Sequence, residues 1–278
     1  MKIYRIISVI AAVIFCFFVC ACEERESETD KSYVYRDRTM ENSSETAPNE
    51  PILPPHPVIL TVIIDAGHGF DDGGSQPPML DCGESEVTMR AALILKEKLQ
   101  DAGIGVVLTH DGKHFPSVGD ICYGADNFGV EYDASKMVDN NIFSPYERVI
   151  YGNVLASQLR NCIFISLHTN SYEDPTVGGL SIDYHAGNPN RESLAEFSRL
   201  FKDAVAADLG KETVIFEDSY DDAFIVTKYN TIPSMLIEMG YGTNHDDAKD
   251  LMSDEWINSF CTVLCECVVK HFKEGVVK

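Results

Sequence analysis

Apolar positions form three zones along the chain. Ile6 to Val19 is an unbroken apolar run behind Lys2 and Arg5. From Glu23 to Pro57 apolar residues are sparse and follow no period, and the stretch closes on Pro51, Pro54, Pro55 and Pro57. Beyond it, short apolar blocks alternate with helical stripes. Val58 to Ile64 reads as a buried strand that ends in the glycine loop Asp65-Ala66-Gly67-His68-Gly69. Glu84 to Ala102 places Val87, Ala91, Ile94, Leu95 and Leu99 at helical spacing and closes on Gly103. Ile104 to Thr109 is a second strand, Cys162 to Leu167 a third and Gly179 to Tyr184 a fourth, with Phe224–Thr227 and Ser234–Glu238 as short ones. Further helices are expected from Pro145 to about Leu159, from Arg191 to Leu209 and from Trp256 to His271. Residues 111–143 are mixed in polarity, and too long for a plain connection, so they read as an insertion with structure of its own.

Strands alternating with helices predict an α/β fold: a single-domain sandwich with a mostly parallel or mixed central sheet flanked by helices. The domain plan is an export segment over 1–22, an acidic and Pro-rich disordered tether over 23–57, and a catalytic domain over 58–278 that includes the 111–143 insertion. An apolar run of about 14 residues is short for a membrane span but fits a secretory signal. Val19-Cys20-Ala21-Cys22 resembles a bacterial lipobox, which implies a lipid on Cys22; plain signal cleavage and an uncleaved anchor are the alternatives. All three place the body outside the cytoplasm.

Charge narrows the partners. Twenty-two Lys+Arg against 44 Asp+Glu give a formal net of -22, which excludes the phosphate-neutralising surface of a nucleic-acid binder. It equally excludes a basic patch on anionic lipid. Cleavage before Cys22 removes two bases and no acid, leaving -24. Of nine cysteines, Cys16, Cys20 and Cys22 belong to the export segment. Cys162, Cys261 and Cys265 read as packing residues, and Cys261-x3-Cys265-x-Cys267 lacks zinc-finger spacing. A Cys82–Cys122 bridge is open from sequence alone.

In α/β sheets, sites gather beyond the carboxyl ends of strands, and here such positions carry chemistry. His68 follows the first strand between two glycines, Glu84 opens the first helix, and His168 ends the third strand. Two imidazoles and a carboxylate with a free fourth position make a catalytic zinc set. Glu238, ending Met235-Leu236-Ile237, adds a carboxylate placed to act as a general base. Taken singly, each has a plainer role: a histidine after a strand is usually a polar cap, and an acid at a helix start complements the dipole. Glu86 competes with Glu84 for the ligand position.

These residues carry a resemblance. Val62-Ile63-Ile64-Asp65-Ala66-Gly67-His68-Gly69, Gly83-Glu84-Ser85-Glu86-Val87-Thr88, Ser166-Leu167-His168-Thr169-Asn170 and Pro233-Ser234-Met235-Leu236-Ile237-Glu238-Met239-Gly240-Tyr241 are similar, in order, to the motifs of zinc-dependent N-acetylmuramoyl-L-alanine amidases, the type 3 family of cell-wall hydrolases. Ser144-Pro145-Tyr146-Glu147-Arg148 with Asn153 resembles the family's segment before its third strand. The resemblance implies Zn2+ on His68, Glu84 and His168, favours Glu84 over Glu86, and makes Glu238 the catalytic glutamate. It implies hydrolysis of the amide between the lactyl group of N-acetylmuramic acid and the L-alanine of the stem peptide. The expected setting is a monomer acting on peptidoglycan, held to a membrane through lipid on Cys22. Rival readings are another exported zinc amidase or peptidase, and a non-catalytic wall-binding lipoprotein, which would have shed its ligands. Departures from the family are Met239 after the glutamate, Thr109-His110-Asp111 in place of Thr-Arg-Asp, the length of 111–143, and too short a stretch after His168 for a helix that plugs the site. His185 reads as a packing residue rather than a cleft residue.

Overall fold

The computed structural model describes residues 59–159, 161–219 and 223–274. The export segment, Cys22 and the tether lie outside them. One sheet of six strands organises the domain: β1 (Thr61–Ala66), β2 (Gly105–Leu108), β3 (Cys162–Asn170), β4 (Leu180–His185), β5 (Thr213–Asp218) and β6 (Ser234–Tyr241), in the order β2-β1-β3-β6-β4-β5. The first four run parallel to one another, whereas β4 meets β6 antiparallel and β5 follows β4 in parallel. Seven α-helices flank the sheet among the described residues: α1 (Glu84–Asp101), α2 (Val118–Phe128), α3 (Pro145–Leu159), α4 (Arg191–Asp208), α5 (Ile225–Lys228), α6 (His245–Leu251) and α7 (Asp254–Val268). This is the expected α/β sandwich with a mixed sheet. None of the described helices is long and apolar enough to cross a membrane.

Strand alternation sends successive side chains to opposite faces. Val62, Ile64, Ile163, Ile165, Leu167, Met235 and Ile237 point to one face and pack with buried residues of α1, α4 and α7 into the main core. Ile63, Phe164 and Leu236 point to the other, against Ala156 of α3 and Val226 of α5. Toward the carboxyl ends of β1, β3 and β6 that second face turns polar, at Asp65, Ser166 and Glu238, all buried.

One local expectation changes and two elements are added. Phe224–Thr227 is not a strand. The Phe224 carbonyl accepts from the Thr227 and Lys228 amides at 3.1 and 2.9 Å, which winds the next residues into α5. An apolar run of four residues carries no period that separates the two states. Strand β5 and helix α6 were not anticipated; β5 is a sheet edge whose Val214 and Phe216 are exposed, and α6 is capped by the Asn244 side chain. Residues 111–143 hold α2, capped by the Ser117 hydroxyl, and a short 3-10 turn at Ala134–Lys136. Ile121 and Ala125 of α2 pack on Tyr146, Val149, Ile150 and Val154 of α3, so this segment is a second layer over that helix. All six described cysteines are free, and Cys82 and Cys122 are not bridged. His185 is buried at the end of β4.

Candidate metal centre

The loop after β1 is shaped for close approach. His68 and Phe70 hold left-handed backbone, φ 63° and 62°, with Gly69 at 119° between them. Such φ values are costly for non-glycine residues and persist only where the surroundings enforce them. Arg148 does so from α3. Its guanidinium is buried; it pairs with Asp65 at 2.8 Å and donates to the carbonyls of Ala66 at 2.7 Å and His68 at 2.5 Å. Its Nε donates to the Phe143 carbonyl at 2.7 Å. Burial alone would raise the Asp65 carboxyl; the Arg148 charge and hydrogen bonds from Thr109, Ser166 and Arg148 hold it below the ordinary range instead. Phe115 and Phe143, near the two ends of the 111–143 segment, stack at 5.1 Å, and Arg148 lies 4.9 Å over the Phe143 ring.

His110, the departure from Thr-Arg-Asp, is buried and lies 2.8 Å from the Ala66 carbonyl through Nε2. Its Nδ1 accepts the Gly112 amide, so Nε2 is the donor and the ring is neutral. Burial, then the charge of Arg148, pushes its pKa down. The cation at this corner is Arg148.

His68, Glu84 and His168 converge, with one potential ligand atom from each lying within 4.8 Å of the others. His68 places Nε2 3.4 Å from Glu84 Oε2, and His168 places Nδ1 3.1 Å from Glu84 Oε1. Glu84 is fixed from behind by the Ser75 and Thr169 amides, each donating at 2.9 Å. Burial alone would raise its carboxyl, but hydrogen bonds from His168 and then His68 bring it far below the ordinary range. Burial would likewise lower the His68 imidazole, yet Glu84 first and Asp72 second lift it to about 9. Glu86, the competing acid, is exposed.

Glu238 is the Cα partner of His168 across the β3–β6 ladder and is 7% exposed. Its Oε2 is buried without a hydrogen-bond partner. Burial, then the charges of Glu84 and Asp183, push its carboxyl up to about 8, with His68 opposing. A cavity of about 450 Å³ joins all four residues.

The donor set fits a cation such as zinc on three grounds. Two nitrogens and a carboxylate oxygen are the donors zinc takes in hydrolases. His68 Nδ1 is 2.8 Å from Asp72 Oδ2, the outer carboxylate that orients a ligating imidazole. Glycines clear the space: a Cβ on Gly67 would come within 2.4 Å of the His168 ring, and one on Gly74 within 2.8 Å of both His68 and Glu84. Sequence reading missed Asp72, whose only signal was its place in Asp71-Asp72-Gly73-Gly74, and missed the reach of Arg148 although its segment stood out.

Comparison with known proteins bears on the same residues. The family model for N-acetylmuramoyl-L-alanine amidase (Amidase_3) matches residues 62–270. The uncharacterized protein YqiI of Bacillus subtilis is 26% identical over 199 residues, 70% of this chain and 77% of that one. The amidase LytC of the same organism is 25% identical over 217 residues, 77% of this chain but only 36% of LytC. Among solved structures, the catalytic domain of the amidase CwlV from Bacillus (Paenibacillus) polymyxa var. colistinus shares the fold at a TM-score of 0.57, with 20% identity over 77% of this chain and 99% of that one. An amidase of Nostoc punctiforme matches equally, at 0.57 and 22% identity over 77% and 97%. With the family model spanning the sheet from β1 to the end of α7, this chain belongs to the N-acetylmuramoyl-L-alanine amidase family and is a hydrolase of peptidoglycan amide bonds.

Proposed function

We propose that His68, Glu84 and His168 hold one zinc ion and that Glu238 is the proton-transfer residue for cleavage between N-acetylmuramic acid and the first stem residue, L-alanine. One observation carries this reading: three ligand atoms gathered within 4.8 Å share a cavity with a buried, unpartnered carboxylate oxygen. Bound zinc supplies a Lewis acid that polarises the scissile carbonyl and makes hydroxide accessible near neutral pH. The rest falls to the protein. Glu238 Oε2 accepts the proton of the attacking water, and the same oxygen returns it to the departing alanine nitrogen. Asp72 keeps the His68 ring turned, Ser75 and Thr169 keep Glu84 turned, and Arg148 keeps the His68 loop in place.

Digestion of purified peptidoglycan tests this directly. Stem peptides with a free L-alanine amine should appear, leaving glycan whose lactyl groups are intact. Cuts confined to bonds within the stem peptide would remove the reading.

Cell-wall hydrolysis places the work outside the cytoplasm. Attachment through a lipid on Cys22, and action as a monomer, complete the proposal. A Cys22→Ala chain should be released into the medium, and its continued fractionation with membranes would count against the anchor.

A further inference from the structure

The cavity beside the metal ligands is not polar throughout. Four apolar residues occupy one wall: Phe224 and Ile225 at the rim, 43% and 41% exposed, with Val226 and Leu236 buried behind them. Phe224 and Ile225 are neighbours at the cleft mouth and together leave apolar surface there that a bound substrate can cover. This lip is also rigid. The Phe224 carbonyl takes the Thr227 amide, the Lys228 amide and the Thr227 hydroxyl. The Asn230 side chain donates to the Val226 carbonyl at 3.0 Å. Asn153 of α3 clamps the following turn, donating to the Tyr229 carbonyl and accepting the Thr231 amide.

Its place relative to Glu238 sets what it meets. Leu236 and Glu238 are two residues apart on β6 and therefore point to the same face. Leu236 and Val226 share one buried cluster, and α5 packs on β6 and β4, across Glu238 from the β1 and β3 ends that carry His68 and His168, so the lip stands on the Glu238 side of the cleft. In the proposed reaction Glu238 hands its proton to the departing nitrogen, so the amine half of the substrate must lie on that side. The first side chain beyond that nitrogen is the methyl on the alanine Cα. We infer that Ile225 and Phe224, backed by Val226 and Leu236, form the apolar subsite that reads the first stem residue. They are specificity residues, not catalytic ones. This inference rests on the proposed reaction, and its test separates the two.

The test uses the full-length zinc-loaded protein and two disaccharide-peptide substrates, one with L-alanine and one with glycine at the first stem position. Wild type should prefer alanine by roughly tenfold in kcat/KM, the usual worth of one methyl in an apolar pocket. Ile225→Ala and Phe224→Ala should erase most of that ratio, through KM on the alanine substrate, with kcat within about twofold, a loss of uniform binding. Ile225→Val should keep most of the preference. Zinc content and Tm should be unchanged in all three, since both side chains are half exposed. An alanine-to-glycine ratio that survives both alanine substitutions would overturn the subsite while leaving the reaction standing. If wild type cleaves neither substrate at the muramoyl bond, the reaction itself fails and the subsite falls with it.

Discussion

The two faces of the central sheet use the same strands for different ends. On one, Ile64 is the partner of Ile165 across β1 and β3, and Leu167 is the partner of Ile237 across β3 and β6, all sealed by α1, α4 and α7. On the other, the same strands present Asp65, Ser166 and Glu238 one residue further along. A single-residue step in a strand thus converts core into chemistry. The apolar face supplies the burial that holds the fold. The polar face spends part of that stability on charged groups kept dry, and Arg148 with Asp65 is the clearest instance.

If this division is right, substitutions on the polar face should damage activity out of proportion to stability. Glu238→Gln should cut kcat by about 10²–10⁴-fold while zinc content and Tm stay near wild type; loss of bound metal as well would make Glu238 a ligand instead. His168→Ala should lose both metal and activity, as read by metal analysis of the purified protein beside wild type. Arg148→Met breaks a buried pair and strands Asp65, so it should cost about 3–5 kcal/mol in denaturant unfolding. Retention of full activity in the surviving folded fraction would show that the His68 loop holds its form without the guanidinium.

Asp183 offers a pH readout on the same face. Burial, opposed by the Ser181 hydroxyl and reinforced by the Asp218 charge, pushes its carboxyl up to about 7. A carboxyl raised on folding binds its proton more tightly in the native state. Its penalty is therefore absent below about pH 4, grows as pH rises from there, and is complete above about pH 7. Asp183→Asn removes the charge, so at pH 8 it should be more stable than wild type by on the order of 2–4 kcal/mol, and at pH 4 nearly equal. A difference independent of pH would mean that the carboxylate is neutralised by other means. On the apolar face, Ile165→Val should cost only about 0.5–1.5 kcal/mol and leave kcat/KM unchanged. A large kinetic effect there would dissolve the contrast between the faces.

Legibility followed the same divide. Strands β1 and β3, helices α1, α4 and α7, and the positions of His68, Glu84, His168 and Glu238 could be read from periodicity and from motif order, because each is a local pattern. Arg148 could not be read that way. Its partners Asp65, Ala66 and His68 lie eighty or more residues away in sequence, and nothing in a helix-opening Glu-Arg pair says which loop it will hold. Asp72 escaped for the opposite reason, because one aspartate among loop glycines has no distinguishing environment until the ring of His68 is beside it. Helix α5 was misread because four apolar residues fit either state, and the carbonyl of Phe224 decided between them. Strand β5 escaped because an edge strand with Val214 and Phe216 in solvent has no apolar-inward rhythm on that side.

The long reach of Arg148 also orders events in time. As the chain is synthesised, His68 emerges first, then Arg148, then His168, and Glu238 last, near the end of the domain. The left-handed loop at His68 therefore has nothing to hold it until α3 arrives, and no complete donor set exists until β3 is laid beside β1. Contacts this distant in sequence form slowly. The site is thus among the last things the nascent protein acquires, and a chain cut short before β6 would lack the one carboxylate on which the proposed proton transfer depends.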